Sequence, residues 1–85
     1  MGIRKPHPVS GMTAAQIFGK NFRTLRNHRS LSIAQVSEAI NVSVYRLNKL
    51  EAGRLKITAS LLVIICDFFN VIIDCMVRQD LAKEQ

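Results

Sequence analysis

The segment IAQVSEAINVSVYRLNKLE, residues 33–51, constrains the fold more than any other part of the chain. Two short helices joined by a tight turn can cross steeply only where particular positions are apolar or small. Val36 and Ile40 supply the inner face of a first helix, and Ser37 is small where a second helix would cross closely. Asn41 tolerates the left-handed backbone that such a turn requires. Val42 plugs the corner, and Leu47 and Leu50, three apart, anchor the second helix. Val44, Tyr45, Arg46, Asn48 and Lys49 are left with no core duty. Spacing alone leaves two readings, an ordinary helical hairpin or a helix that presents its outer face to a partner.

The flanking residues predict three further helices. Thr13-Ala14-Ala15-Gln16 is a capping box, in which the hydroxyl caps the third amide and the glutamine reaches back. Ile17, Phe18, Phe22, Leu25 and Arg26 then recur on one side of a helix that ends near residues 28–30. Ser32-Ile33-Ala34-Gln35 is a second capping box, opening a short helix through Ala39. Ser43 is an N-cap for a helix running from Val44 to about Ala52, closed by Gly53. After the loop at residues 54–57, Thr58 caps a fourth helix at 59–69; Asn70-Val71 turns the chain, and a fifth helix runs from Ile73 to about Ala82. No proline follows residue 8 and no segment alternates as a strand, so the expected architecture is all-α with five helices.

Eighty-five residues make one domain, and an apolar fraction of 48% supports a core with some surface to spare. Both prolines and two of the four glycines fall in residues 1–12, which read as a flexible basic arm ahead of a folded domain at 13–85. That arm is either an inert tail or a segment that touches a partner. The charge is unevenly placed. Residues 1–30 carry Arg4, Lys5, Lys20, Arg23, Arg26 and Arg29 with no acid, a net +6. Residues 31–56 set Arg46, Lys49, Arg54 and Lys56 against Glu38 and Glu51, a net +2. Residues 57–85 set Arg78 and Lys83 against Asp67, Asp74, Asp80 and Glu84, a net −2. One end is built to meet a polyanion and the other is not.

An acidic membrane surface explains the basic end less well. It calls for a basic amphipathic helix or a lipid signal, and Pro6 stands where a myristoylation pattern wants Ser or Thr. The apolar residues 61–77 are interrupted by Asp67, Asn70 and Asp74, short of the length needed to span. No secretory leader is expected, because Arg4, Lys5, Pro6 and Pro8 break any early apolar run. Cys66 and Cys75 lie in apolar runs and read as buried small hydrophobes in a reducing cytoplasm, with a redox pair as the alternative. With no ligating histidine near them they make no zinc site, so neither a metal nor another cofactor is expected. His7 sits in the arm and His28 at a helix end, and no acid is placed to orient either, so an enzyme is not expected.

Several words around the turn resemble the phage-repressor/Cro-like helix-turn-helix family, also called the XRE family. They are Leu25-Arg26-Asn27-His28-Arg29 before Leu31-Ser32, then Ile40-Asn41-Val42-Ser43, then Leu50-Glu51-Ala52-Gly53-Arg54. Ile57-Thr58 and Phe68-Phe69-Asn70-Val71 follow, so the resemblance covers residues 17 to about 77. It implies a five-helix lambda-repressor-like domain whose second motif helix enters the major groove of double-stranded DNA. It also implies that Arg26 and Glu51 form a buried ion pair tying the first helix to the recognition helix. Val44, Tyr45 and Lys49 align with base-edge readers, and Ser43, Arg46 and Asn48 with backbone or flanking contacts. Lysine can donate to guanine O6 and N7, and valine can touch a thymine methyl. Arg54 and Lys56, just past the recognition helix, suit phosphate anchoring, as do Arg23 and Lys20.

The chain departs from the family at Ile33, where a glutamine is usual, so a contact made there is not expected. Asn41 replaces the usual turn glycine, Ser37 the usual alanine, and Ile72 the usual cap of the fifth helix. The fourth and fifth helices are apolar on more than one face, which predicts a twofold dimer through Ile72, Ile73, Met76 and Val77. The expected function is therefore that of a cytoplasmic homodimeric transcriptional regulator, a repressor acting at a palindromic operator. A restriction-modification controller and an antitoxin share the fold, although little chain is spare for a toxin. A non-DNA adaptor is the rival from another class.

Overall fold

The computed structural model describes residues 12–78, so all but the last residue of the expected arm at 1–12, and the expected continuation of the fifth helix to about Ala82, lie outside the described residues. Five helices follow in order: α1 (Ala14–His28), α2 (Ile33–Ile40), α3 (Val44–Glu51), α4 (Ala59–Phe69) and α5 (Ile73–Arg78). Among the described residues there is no strand. Each of the first four starts on a hydroxyl cap. Thr13 accepts from the Gln16 amide at 3.1 Å while the Gln16 side chain accepts from the Thr13 amide at 3.0 Å. Ser32 and Gln35 repeat that reciprocal pair at 3.0 and 2.8 Å. Ser43 caps α3 through the Arg46 amide at 3.1 Å, and Thr58 caps α4 through the Leu61 amide at 3.2 Å. Such caps satisfy amides that have no partner inside the helix, and each contributes about 1 kcal/mol.

The same four helices also stop alike. Ser30, Asn41, Gly53 and Asn70 all adopt the left-handed backbone, with φ of 56°, 58°, 75° and 57°. The next amide in each case donates to the carbonyl five residues back, as from Val42 to Ser37 at 3.3 Å and from Val71 to Cys66 at 3.0 Å. This closure consumes the last carbonyls and turns the chain sharply, which keeps the connections short. Asn41 and Asn70 were legible as stops, since asparagine tolerates this region. Ser30 carries no comparable signal.

The core forms where α1 lies between α3 and α5, with α2 and α4 closing the remaining sides. Phe18, Phe22, Val36, Leu47, Ile65 and Met76 are fully buried. Phe22 and Phe69 meet edge to face, their ring centroids 5.8 Å apart. Gly19 allows α1 to approach the backbone of α3 closely. A Cβ there would stand 2.1 Å from the Leu50 carbonyl oxygen.

Two polar residues brace this packing. Asn21 is completely buried, and its side-chain amide donates to the Met76 carbonyl at 2.8 Å and the Cys75 carbonyl at 3.4 Å, fixing α5 on α1. Arg29 donates to the carbonyls of Phe68 and Phe69 at 3.2 and 2.8 Å, with its guanidinium 5.1 Å from the Phe69 ring centroid. A cation at the carbonyl end of α4 complements that helix's dipole. Asn21→Leu keeps the volume but leaves both α5 carbonyls without this donor. A loss of about 1–3 kcal/mol is expected in urea unfolding.

The structure corrects one assignment. Met76 was placed on the dimer surface, yet it is fully buried against α1, because the Asn21 bonds draw this turn of α5 inward. Val77 is half-buried, whereas Ile72 and Ile73 are exposed at 66% and 42%. Val63 and Ile64 of α4 are exposed at 47% and 40%.

Both cysteines are free thiols, Cys66 buried and Cys75 half-buried. Burial, with a smaller contribution from the Asp67 charge, pushes the Cys66 thiol above its ordinary value. The thiolate is the reactive form, so Cys66 is expected to alkylate far more slowly in the folded protein than after denaturation. Mass spectrometry of alkylated peptides reads this directly.

Candidate nucleic-acid interface

The candidate site is the outer face of α3, and its exposure follows from what holds the inner face. Leu47 and Leu50 are buried at 0% and 1%, so the helix has one azimuth available to it. Val42, 6% exposed, fills the corner between α2 and α3, and Val36 underlies the crossing. Val44 and Tyr45 consequently point outward, exposed at 41% and 70%, and Arg46 and Asn48 are exposed beside them. Lys49 is half-buried, with its ammonium 5.5 Å from the centroid of the Tyr45 ring. These side chains form one polar and aromatic surface that the core does not use.

The recognition candidate is also fixed in rotation. Arg26 of α1 meets Glu51 at the end of α3 through two parallel bonds, Nε to Oε2 at 2.7 Å and Nη2 to Oε1 at 3.3 Å. Both side chains are 13% exposed. The remaining Arg26 nitrogen, Nη1, donates to the Leu31 carbonyl at 2.7 Å, just before α2 begins. One guanidinium therefore ties together α1, the approach to α2 and the end of α3. A planar fork suits this role better than an ammonium would.

The cations around α3 are distributed in two places. Arg54 and Lys56 are exposed on the loop that leaves α3. Lys20 of α1 is exposed and borders an open groove with Gln16, Glu51, Ala52 and Gly53, which sets it beside the C-terminal end of α3. Arg23, one turn further along α1, is exposed as well. Ser43 keeps its hydroxyl proton while its oxygen accepts from Arg46, so it can cap the helix and still donate to a phosphate.

Sequence reasoning missed Asn21, Arg29 and Gly19. Asn21 falls on the same helical face as Phe18 and Phe22, so a polar residue in an apolar stripe was its available signal. Gly19 inside a long helix was a sign of close packing. Nothing local marks Arg29, whose partners lie forty residues on. Among the described residues, no group of His, Cys, Asp and Glu is arranged to hold a metal ion. No described helix is long and apolar enough to cross a membrane.

The family model described as a helix-turn-helix domain matches residues 17–75, most of the chain. The protein belongs to the helix-turn-helix family. In its numbering the motif is α2, the Asn41 turn and α3. Two crystal structures of the clp gene regulator ClgR from Corynebacterium glutamicum share the fold. One matches with a TM-score of 0.72 at 20% identity, covering 87% of this chain and 96% of the other. The second matches with a TM-score of 0.73 at 22% identity, covering 92% and 79%. Among curated protein sequences, none matches.

Proposed function

We propose that this helix-turn-helix protein binds specific sequences of double-stranded DNA as a homodimeric transcriptional regulator, acting as a repressor in the cytoplasm. The observation that carries this is the state of α3: anchored by Leu47 and Leu50, locked in rotation by Arg26–Glu51, and bare along Val44, Tyr45, Arg46 and Asn48. A helix so held delivers its side chains to base edges without having to order its backbone on binding. Val44, Tyr45 and Lys49 are assigned to the bases. Ser43, Arg46, Asn48, Arg54, Lys56, Arg23 and Lys20 are assigned to the phosphate backbone and flanks. The name of the structural neighbour, a gene regulator, supports a regulatory role.

One recognition helix reads too few base pairs for useful specificity, which favours a pair of protomers. The exposed Ile72 and Ile73, with Val63 and Ile64 of α4, supply the apolar surface for a twofold contact away from the basic end. The operator is then palindromic, with half-sites one helical turn apart, roughly 34 Å.

Salt dependence and two substitutions test the assignment. If about six phosphates are neutralised, affinity is expected to fall about a thousandfold between roughly 50 and 200 mM salt. Lys49→Ala is expected to relax base preference by about 1–3 kcal/mol at one position, whereas Arg54→Ala weakens all duplexes alike. Equal losses from both on specific and random duplex, measured by fluorescence anisotropy, contradict the assigned roles.

A further inference from the structure

The Lys49 ammonium does not extend freely from α3. It lies 5.5 Å from the centroid of the Tyr45 ring, one turn back on the same helix, and the lysine is half-buried while the tyrosine is 70% exposed. Residues four apart share a helix face, and a cation over an aromatic face is attracted by the ring quadrupole. A lysine has a flexible four-carbon stem, so its ammonium ordinarily samples a wide volume. Over the ring that volume shrinks. Among the described residues no acid pairs with this ammonium: Glu51 is engaged by Arg26, and Asp74 by Arg78.

Building on the DNA-binding function proposed above, we infer that Tyr45 is a specificity-determining positioning residue. Its ring holds the Lys49 ammonium over one point of the groove, so that the two side chains read a single base pair as a unit. Free lysine is a compact point charge that accepts any phosphate within reach, and such contacts carry no sequence information. A lysine ordered against an aromatic ring keeps its remaining N–H groups aimed away from the helix, where guanine O6 and N7 present paired acceptors. Tyrosine thereby converts a charge that favours any duplex into one that favours guanine at a fixed position.

The test is a double-mutant cycle on the full chain, combining Tyr45→Ala, Tyr45→Phe and Lys49→Ala. Binding is measured on the preferred duplex and on duplexes in which the Lys49-read base pair is changed. Tyr45→Ala is expected to reduce discrimination at that base pair by roughly two- to fivefold, the value of an exposed cation–π contact. Tyr45→Phe retains the ring and restores discrimination, and in a Lys49→Ala background Tyr45→Ala has no further effect on it. Because Tyr45 is exposed, the melting temperatures of Tyr45→Ala and Tyr45→Phe are expected to stay close to that of the parent. In the free protein, the Lys49 Hε protons are shifted upfield by the ring current, a shift kept by Tyr45→Phe and lost in Tyr45→Ala. A Tyr45→Ala loss that is the same with and without Lys49, or an unshifted lysine, overturns the inference while leaving DNA binding intact. A parent protein that binds no duplex overturns the DNA-binding function itself, and with it any role for the pair.

Discussion

Gly19→Ala is expected to destabilise the protein severely, although helix propensity favours the substitution by about 1 kcal/mol. The new Cβ would stand 2.1 Å from the Leu50 carbonyl oxygen, 3.1 Å from the Leu50 carbonyl carbon and 3.2 Å from the Glu51 oxygen. All three atoms are backbone of α3 or its end, so no side chain can swing aside. Helix α1 must move away from α3, opening the core around Phe18, Phe22 and Leu50 and stretching the Arg26–Glu51 bonds. Overpacking of this kind costs about 3 kcal/mol, which outweighs the propensity gain. A net loss of about 2 kcal/mol lowers the melting temperature by roughly 8–16 °C in a domain of this size. Gly53→Ala makes an informative contrast. There the new Cβ would meet Gln16 Cγ at 2.8 Å and Gln16 Cα at 3.2 Å, and a left-handed φ of 75°, which Gly19 does not have, adds about 1–2 kcal/mol. A Gly19→Ala protein that melts like the parent would show that α1 and α3 do not approach as described.

Arg26→Ala is expected to cost about 3 kcal/mol. The substitution leaves the Glu51 carboxylate, 13% exposed, without its partner and takes the donor from the Leu31 carbonyl. Most of the loss comes from stranding a charge out of water rather than from the attraction itself. Removing both charges in Arg26→Met with Glu51→Leu is therefore expected to cost less than Arg26→Ala alone. Thermal unfolding of the two variants checks this ordering, and the reverse order would mean that the pair is solvated. Because the pair also fixes the rotation of α3, Arg26→Ala is expected to weaken specific DNA binding at temperatures where the variant is still folded.

Much of this architecture was legible because its signals are local. Hydroxyl caps at Thr13, Ser32, Ser43 and Thr58 act within three residues, and the left-handed stops at Asn41 and Asn70 are a property of asparagine itself. The bare face of α3 followed from counting which positions Leu47 and Leu50 leave unused. What could not be read depends on distant partners. Met76 was assigned to a surface because apolar residues on a short helix look alike, and only the Asn21 bonds from α1 decide which of them turns inward. The Arg29 clamp on α4 likewise depends on carbonyls about forty residues on, whereas the Tyr45–Lys49 contact is local, but lysine four residues after tyrosine carries many meanings until the side chains are placed.

Selection of bound duplexes from a random pool bears most directly on the role of α3. The expected enrichment is a palindrome with half-sites one turn apart, whose most constrained base pairs relax when Val44, Tyr45 or Lys49 is changed to alanine. A pool that shows no enrichment, or an enriched site indifferent to all three substitutions, would contradict the assignment of the α3 face to DNA.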